Sequence, residues 1–234
     1  VLVQAAVTQV VARMAAARPQ TFTERFLSLE KSRLLSLTHA WLALERERAP
    51  FSVIKPEAER SVVVGGLAFS ARIDRMDRLE DDTLAIVDYK TGRPDVAQWF
   101  GERPEEPQLP LYSLFATPAD LPVGAILFGQ VRLGDMRYKG LARAPGVAPG
   151  VPALHASKFA EDYADWDALL AAWRATLTGL AEDFRRGHAL VDPKEFPKTC
   201  RYCALTPLCR IHEVNARIGR MSLDEADGEE GMDA

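Results

Sequence analysis

The chain has 234 residues, 47% of them hydrophobic, with 33 acids against 29 bases and a net charge of −4. That length suits one large domain or a domain with an appendage, and that apolar share is enough to bury a core. No long uncharged apolar run suggests a membrane span, and no signal peptide is evident. The chain starts at Val1 without an initiator Met and opens directly into a helix-like stretch, so it reads as a fragment of a longer polypeptide. The charge is uneven. The eleven residues from Asp224 hold six acids and no base; without them 27 acids face 29 bases. The body is thus near neutral, which permits a nucleic-acid partner on local basic patches, and the tail is predicted to be a disordered acidic end.

Residues 1–17 are rich in Ala and Val and predict a helix that Pro19 ends. A second helix is expected from a cap at Thr21 or Thr23 to about Glu47, with Phe26, Leu29, Leu34, Leu37, Trp41 and Leu44 at roughly helical spacing; Pro50 stops it. The period then changes. Residues 51–54 and 60–64 predict strand and Gly65–Gly66 a turn. In 67–74, Leu67, Phe69, Ala71 and Ile73 face one way, and Ala68, Ser70, Arg72 and Asp74 the other. A polar turn at 80–83 leads to a strand at 84–90, completing an antiparallel meander. A Pro-rich loop, a short helix at 108–115, a strand at 123–133, a hairpin turn at Gly134–Asp135 and a strand at 137–142 follow. After a Pro/Gly loop, 159–186 predicts a long amphipathic helix carrying Trp166, Leu169, Leu170, Trp173, Leu177, Leu180 and Phe184. The order predicts one α/β (α+β) domain, a central mixed β-sheet flanked by helices.

Three charged residues interrupt this apolar pattern. Asp88 and Lys90 lie in the strand Leu84-Ala85-Ile86-Val87-Asp88-Tyr89-Lys90 and, being two apart, share a face. Asp74 ends the preceding strand, and an antiparallel turn can bring it beside Asp88. Two converging carboxylates make a hard-oxygen site suited to Mg²⁺ or Mn²⁺. A lysine beside them can hold a water and offset charge at a phosphate. The plainer reading is a surface ion pair on an edge strand, worth little.

The surrounding motifs bear on that choice. Asp74 lies in Ala71-Arg72-Ile73-Asp74-Arg75-Met76-Asp77, Asp88 in Val87-Asp88-Tyr89-Lys90-Thr91-Gly92, and Gln108-Leu109-Pro110-Leu111-Tyr112 follows. In this order they resemble the RecB-type branch of the PD-(D/E)XK nuclease superfamily, which reads G-x-I-D-R-x-D, D-Y-K-T-G and Q-x-x-x-Y. The resemblance runs from about Phe51 to Cys209. It implies a restriction-endonuclease-like core in which Asp74 and Asp88 bind the metal and Lys90 positions the attacking water or stabilises the transition state. Gln108 and Tyr112, four apart on one helix face, would flank the site and contact DNA or the lysine; otherwise they are ordinary residues of an amphipathic helix. Glu57 is a further metal-ligand candidate, with Glu59 competing and a plain surface charge as the alternative. Arg72, Arg75 and Asp77 are expected to form ion pairs around Asp74. RecB-type nucleases also use a histidine on an N-terminal helix, in a G-x-x-x-H setting. His39 lacks that glycine and reads as a helix-surface or packing residue.

The three cysteines, Cys200, Cys203 and Cys209, fall within ten residues. A tight odd cluster without secretory signs suggests metal or iron–sulfur ligation in a reducing, cytoplasmic compartment. The segment resembles the end of the iron–sulfur staple of AddB-type and CRISPR-associated RecB-like exonucleases. That implies a 4Fe-4S cluster in the intact protein, whose fourth cysteine would precede Val1. Zinc held by the three cysteines and His212 is the alternative, and three free thiols a third. The expected organisation is helices over 1–50, a nuclease core over 51–190, a cysteine segment over 191–215 and the tail over 216–234. The expected function is a metal-dependent DNA exonuclease domain of a bacterial repair or recombination protein. It would act on DNA ends or single strands beside a helicase domain or subunit, away from membranes. The alternative is a catalytically inactive nuclease fold that binds DNA or docks a partner.

Overall fold

In the computed structural model, residues 1–211 and 213 are described, apart from the side chains of 55–60. The chain divides into two units, Val1–Arg185 and Arg186–Ala234. The predicted acidic tail and His212 lie outside the described residues.

The first unit opens with helices α1 (Leu2–Ala17) and α2 (Glu24–Glu45). Thr23 caps α2, its side chain accepting from the Phe26 amide at 3.3 Å. Five strands follow: β1 (Phe51–Val64), β2 (Leu67–Leu79), β3 (Leu84–Lys90), β4 (Val123–Gln130) and β5 (Arg137–Ala142). They form one mixed sheet in the order β1-β2-β3-β4-β5. β1–β2, β2–β3 and β4–β5 are antiparallel, and β3–β4 is parallel. A parallel neighbour cannot be reached by a tight turn. The chain therefore crosses over through a 3₁₀ turn (Val96–Trp99) and helix α3 (Gln108–Phe115). Helix α4 (Trp166–Arg185) ends the unit. The predicted α+β architecture, a mixed sheet flanked by helices, is the one observed.

The strands of the centre alternate between two cores. Leu84 and Ile86 of β3, Ile126 and Phe128 of β4 and Leu141 of β5 face a core closed by Trp99, Leu109 of α3, and Trp166, Leu169 and Trp173 of α4. Ala85, Val87, Ala125, Leu127, Tyr138 and Ala142 face the other core, closed by Trp41 of α2 and by Val147, Ala148 and Val151. Both faces of β3 and β4 are therefore buried, which is why these strands read as near-continuous apolar runs. Gly129 permits the second core to close: a Cβ there would sit 2.8 Å from the Tyr89 ring and 2.9 Å from Trp41.

Four predicted boundaries move. The pieces at 51–54 and 60–64 are one strand, β1, with a bulge between Val53 and Lys55. β2 continues to Leu79, so Asp74 lies inside a strand rather than at its end. β4 stops at Gln130, opposite Lys90 where its neighbour β3 ends; the Val131 amide makes the last ladder bond, to the Lys90 carbonyl at 2.8 Å. α4 starts at Trp166 and not at 159; Asp165 caps it, accepting from the Ala168 amide at 2.7 Å. Among the described residues, no helix is long and apolar enough to cross a membrane.

Candidate active site

Three elements converge on the carboxyl end of β3. β2 pairs with β3 only from Arg75 opposite Val87 to Arg78 opposite Leu84. Asp74 is the next residue out, and its Oδ2 accepts from the Tyr89 amide at 2.9 Å. That bond fixes Asp74 against the strand that carries Asp88 and Lys90. The buried residues of β2 change parity here: Ala71 and Ile73 enter the same core as Met76. The strand turns around Asp74, where the β1–β2 hairpin leaves the five-stranded part of the sheet.

Asp88 is 4% exposed. Its Oδ2 lies 2.8 Å from Lys90 Nζ. That contact lacks the angles of a hydrogen bond, so this buried oxygen accepts none. Burial pushes the Asp88 carboxyl above its ordinary pKa; Lys90 pulls it down, and the charges of Asp74 and Glu106 add to the rise. At Lys90 burial disfavours the ammonium. Contact with Asp88, and then the charges of Asp88, Glu106 and Asp74, outweigh burial and raise its pKa. Lys90 is thus held as a cation.

Helix α3 supplies the third element. Lys90 Nζ donates to Gln108 Oε1 at 3.2 Å, and Gln108 Nε2 donates to Tyr112 Oη at 3.3 Å. An ammonium has only donors, so the amide must present its oxygen to Lys90. The tyrosine one turn on takes the amide nitrogen and holds that orientation.

The structure therefore brings Asp74, Asp88, Lys90, Gln108 and Tyr112 together. Glu57 lies within β1, between the pairs Pro56–Arg75 and Ala58–Ile73, so its backbone stands level with Asp74; its side chain, like that of Glu59, lies outside the description. Glu106 went unnoticed in the Pro-rich loop. The one available signal was its place two residues before Gln108. Arg75 and Asp77 do not surround Asp74: they point to the opposite face of the sheet, where they pair with each other, Arg75 with Glu45 of α2 and Asp77 with Arg48 just after it. His39 is exposed and lines a cavity with Val3 and Leu35.

A divalent cation fits this donor set in part. Two hard carboxylates converge, one with a buried oxygen that accepts no hydrogen bond, beside a surplus of negative charge. Among the described residues, no group of three His, Cys, Asp or Glu could hold a metal. Asp74 and Asp88 alone therefore leave most of a cation's coordination to water and substrate oxygens, as Mg²⁺ often requires. The same finding bears on the second unit. Its described part holds turns and a short helix, Thr206–Cys209. Cys200, Cys203 and Cys209 are free thiols. As placed they form no ligand set, and three fall one short of a four-cysteine cluster. The Leu205 amide does donate to Cys203 Sγ at 3.4 Å.

No curated protein matches this chain. The crystal structure of SSO0001 is similar over 85% of this chain and 79% of that one, at 17% identity and a TM-score of 0.37. The sequence pattern of the PD-(D/E)XK nuclease superfamily matches residues 1–210, which takes in both N-terminal helices, the whole sheet and every residue of the candidate site, and the chain belongs to that superfamily.

Proposed function

We propose that this chain is a metal-dependent deoxyribonuclease domain of the RecB-like branch, an exonuclease hydrolysing phosphodiester bonds at DNA ends or in single strands. The observation that carries this reading is the buried Asp88 carboxylate, whose Oδ2 accepts no well-angled hydrogen bond and lies 2.8 Å from a charged lysine, beside a second carboxylate. Such an arrangement costs stability and serves no packing purpose, which favours a site over a surface ion pair.

Asp74 and Asp88 would hold Mg²⁺ or Mn²⁺, with Glu57 as a further candidate. When bound, the cation supplies Lewis acidity toward a phosphoryl oxygen and lowers the pKa of a water. Lys90 is kept protonated by Asp88 and oriented by Gln108. Its ammonium can donate to the phosphate oxygens as charge builds on them, and can orient the attacking water. The Tyr89 amide bond keeps Asp74 aimed while the substrate binds.

The three RecB-type motifs support a parent protein of DNA repair or recombination, cytoplasmic, working with a helicase domain or subunit. The cysteine segment is proposed as a ligand loop for a 4Fe-4S cluster in the intact protein, with zinc through His212 as the rival. The amide-to-thiol bond at Cys203 supports a loop that presents sulfur. Iron, sulfide and zinc analysis of anaerobically purified protein separates the two, and finding none of them overturns both.

The test of the nuclease reading is Mg²⁺-dependent degradation of single-stranded DNA. Asp88→Ala and Lys90→Ala should each lower the rate by about 10²-fold or more. Full activity in both removes the assignment. DNA binding without cleavage or Mn²⁺ binding supports the inactive module instead.

A further inference from the structure

We infer that the β4–β5 hairpin is a guide for one nucleic-acid strand leaving the candidate active site. Its arginines would grip phosphates and Leu133 would pack against a base. The inference rests on the nuclease reading.

The register places the hairpin beside the site. Lys90 pairs with Gln130 across β3–β4, and Gln130 with Arg137 across β4–β5. One row back, Asp88 pairs with Phe128, and Phe128 with Lys139. Residues paired directly across strands share a face, so Arg137 and Lys139 stand on the same face as Asp88 and Lys90. Leu141 confirms the face, since it enters the same core as Ile86. Two strand spacings of about 4.8 Å put the Arg137 backbone about 10 Å from that of Lys90.

The hairpin is tied down at its root and open at its tip. The Val131 amide donates to the Lys90 carbonyl at 2.8 Å, and Gln130 Nε2, buried, donates to the Asp135 carbonyl at 2.9 Å. Gly134, at φ +74°, makes the turn. Just before it Arg132 is exposed and Leu133 is 69% exposed. Arg93, on the loop after Lys90, lies 3.8 Å from Asp135, and Arg137 also pairs with Asp135. The Arg93 and Arg137 side chains are 71% and 56% exposed. One carboxylate thus spaces two arginines, and Arg132 adds to a positive rim on a chain whose net charge is negative; Lys139, half-buried, donates to the Pro94 carbonyl at 2.9 Å and ties the loop after Lys90 to the hairpin.

The chemistry of the rim fits a phosphate chain. Guanidinium groups offer planar donor forks to phosphate oxygens. A single apolar side chain projecting between them suits packing against an unstacked base. A strand held at Asp88 and Lys90 by one phosphate would meet this rim next.

The test uses the full chain, a fluorescein-labelled oligo-dT and anisotropy without a cleavage-supporting cation, over a range of salt. Arg132→Glu/Arg137→Glu should weaken binding by about tenfold and flatten the log–log salt slope by about 1.4, about 0.7 per lost phosphate contact. Leu133→Ser should weaken binding and leave the slope unchanged. Arg18→Glu/Arg25→Glu makes the same change in net charge on the N-terminal helices and should bind like wild type. Circular dichroism checks that each variant is folded. Wild-type affinity and slope in the folded hairpin variant overturn the inference, as does a wild-type chain that does not bind. Asp88→Asn separates the two readings: binding lost in the hairpin variant with cleavage intact in Asp88→Asn keeps the guide and removes the active site.

Discussion

The two faces of β2 and β3 at the candidate site carry similar numbers of charges and treat them differently. On the α2 face, Arg48 and Arg75 meet Asp77 and Glu45, two cations against two anions. Arg48 to Asp77 is 2.7 Å, with neither side chain exposed; Arg75 reaches Asp77 at 2.7 Å, Glu45 at 2.8 Å and Tyr89 Oη at 2.9 Å. Tyr138 donates to Glu45 at 2.5 Å. Arg75 and Tyr138 hold the Glu45 carboxyl below its ordinary pKa despite burial, and Arg48 stacks on Phe51 at 4.0 Å. On the other face Asp74, Asp88 and Glu106 act on Lys90, and a buried oxygen of Asp88 accepts no hydrogen bond. One strand pair thus carries a closely paired network of two cations and two anions behind and, in front, a buried carboxylate oxygen that accepts no hydrogen bond. The back is not fully satisfied either, since Arg48 Nη2 is buried without a hydrogen-bond partner, but it holds the front in place: Tyr89, between Asp88 and Lys90, is fixed by Arg75, the neighbour of Asp74.

The comparison breaks most visibly at Asp77. Replacing it with Ala leaves Arg48 buried beside an absent partner and takes one of the partners of Arg75. The expected loss is about 3–5 kcal/mol, read as a lower urea midpoint at unchanged m-value. A loss under about 1 kcal/mol would mean that the back is no more tightly compensated than a surface cluster. Tyr138→Phe is the smaller test. It removes one donor to a charged acceptor and keeps the ring against Trp41 at 4.8 Å. We expect about 1.5–3 kcal/mol of destabilisation. Glu45 is then left with its arginines, and the nuclease rate should change far less than in Lys90→Ala.

Much of the front was legible from spacing. Asp88 and Lys90 are charges in an otherwise apolar strand, and period-2 alternation alone puts them on one face. Gln108 and Tyr112 are four apart, and α3 does present them together. The back was not legible, because its partners are distant in sequence: Glu45 ends a helix, Arg48 lies in the turn after it, and nothing local marks them as partners for Arg75 and Asp77. Alternation also misled at Asp74. A strict period over 67–74 ends the strand there, whereas β2 continues and shifts its buried face between Ile73 and Met76. Glu106 was hidden for a different reason. Its charge reaches Asp88 only because the crossover loop is pinned, its amide donating to the Gln98 carbonyl at 3.1 Å, and loop backbone of that kind has no period to read.

The finest test of the contrast is Asp88→Asn, whose effect has a sign that depends on pH. Burial, with Asp74 and Glu106, raises the Asp88 carboxyl pKa above its ordinary value. In the interval between the ordinary and the raised value, the folded chain keeps a proton that the unfolded chain has released. Stability therefore falls as pH rises through that interval, and the full cost of the charged carboxylate is present above it. Below the ordinary value both states are protonated and the cost is gone. Asparagine resembles the neutral form, so the variant should melt at a higher temperature than wild type at neutral pH without divalent cation, and the gain should shrink as the pH is lowered toward the ordinary aspartate range. Adding Mg²⁺ should raise the wild-type Tm and leave the variant nearly unmoved, since a cation that binds only the folded state stabilises in proportion to its affinity. A variant less stable than wild type at neutral pH would mean that the Lys90 pairing outweighs burial. The front would then be as well compensated as the back, and its open oxygen would no longer argue for a ligand.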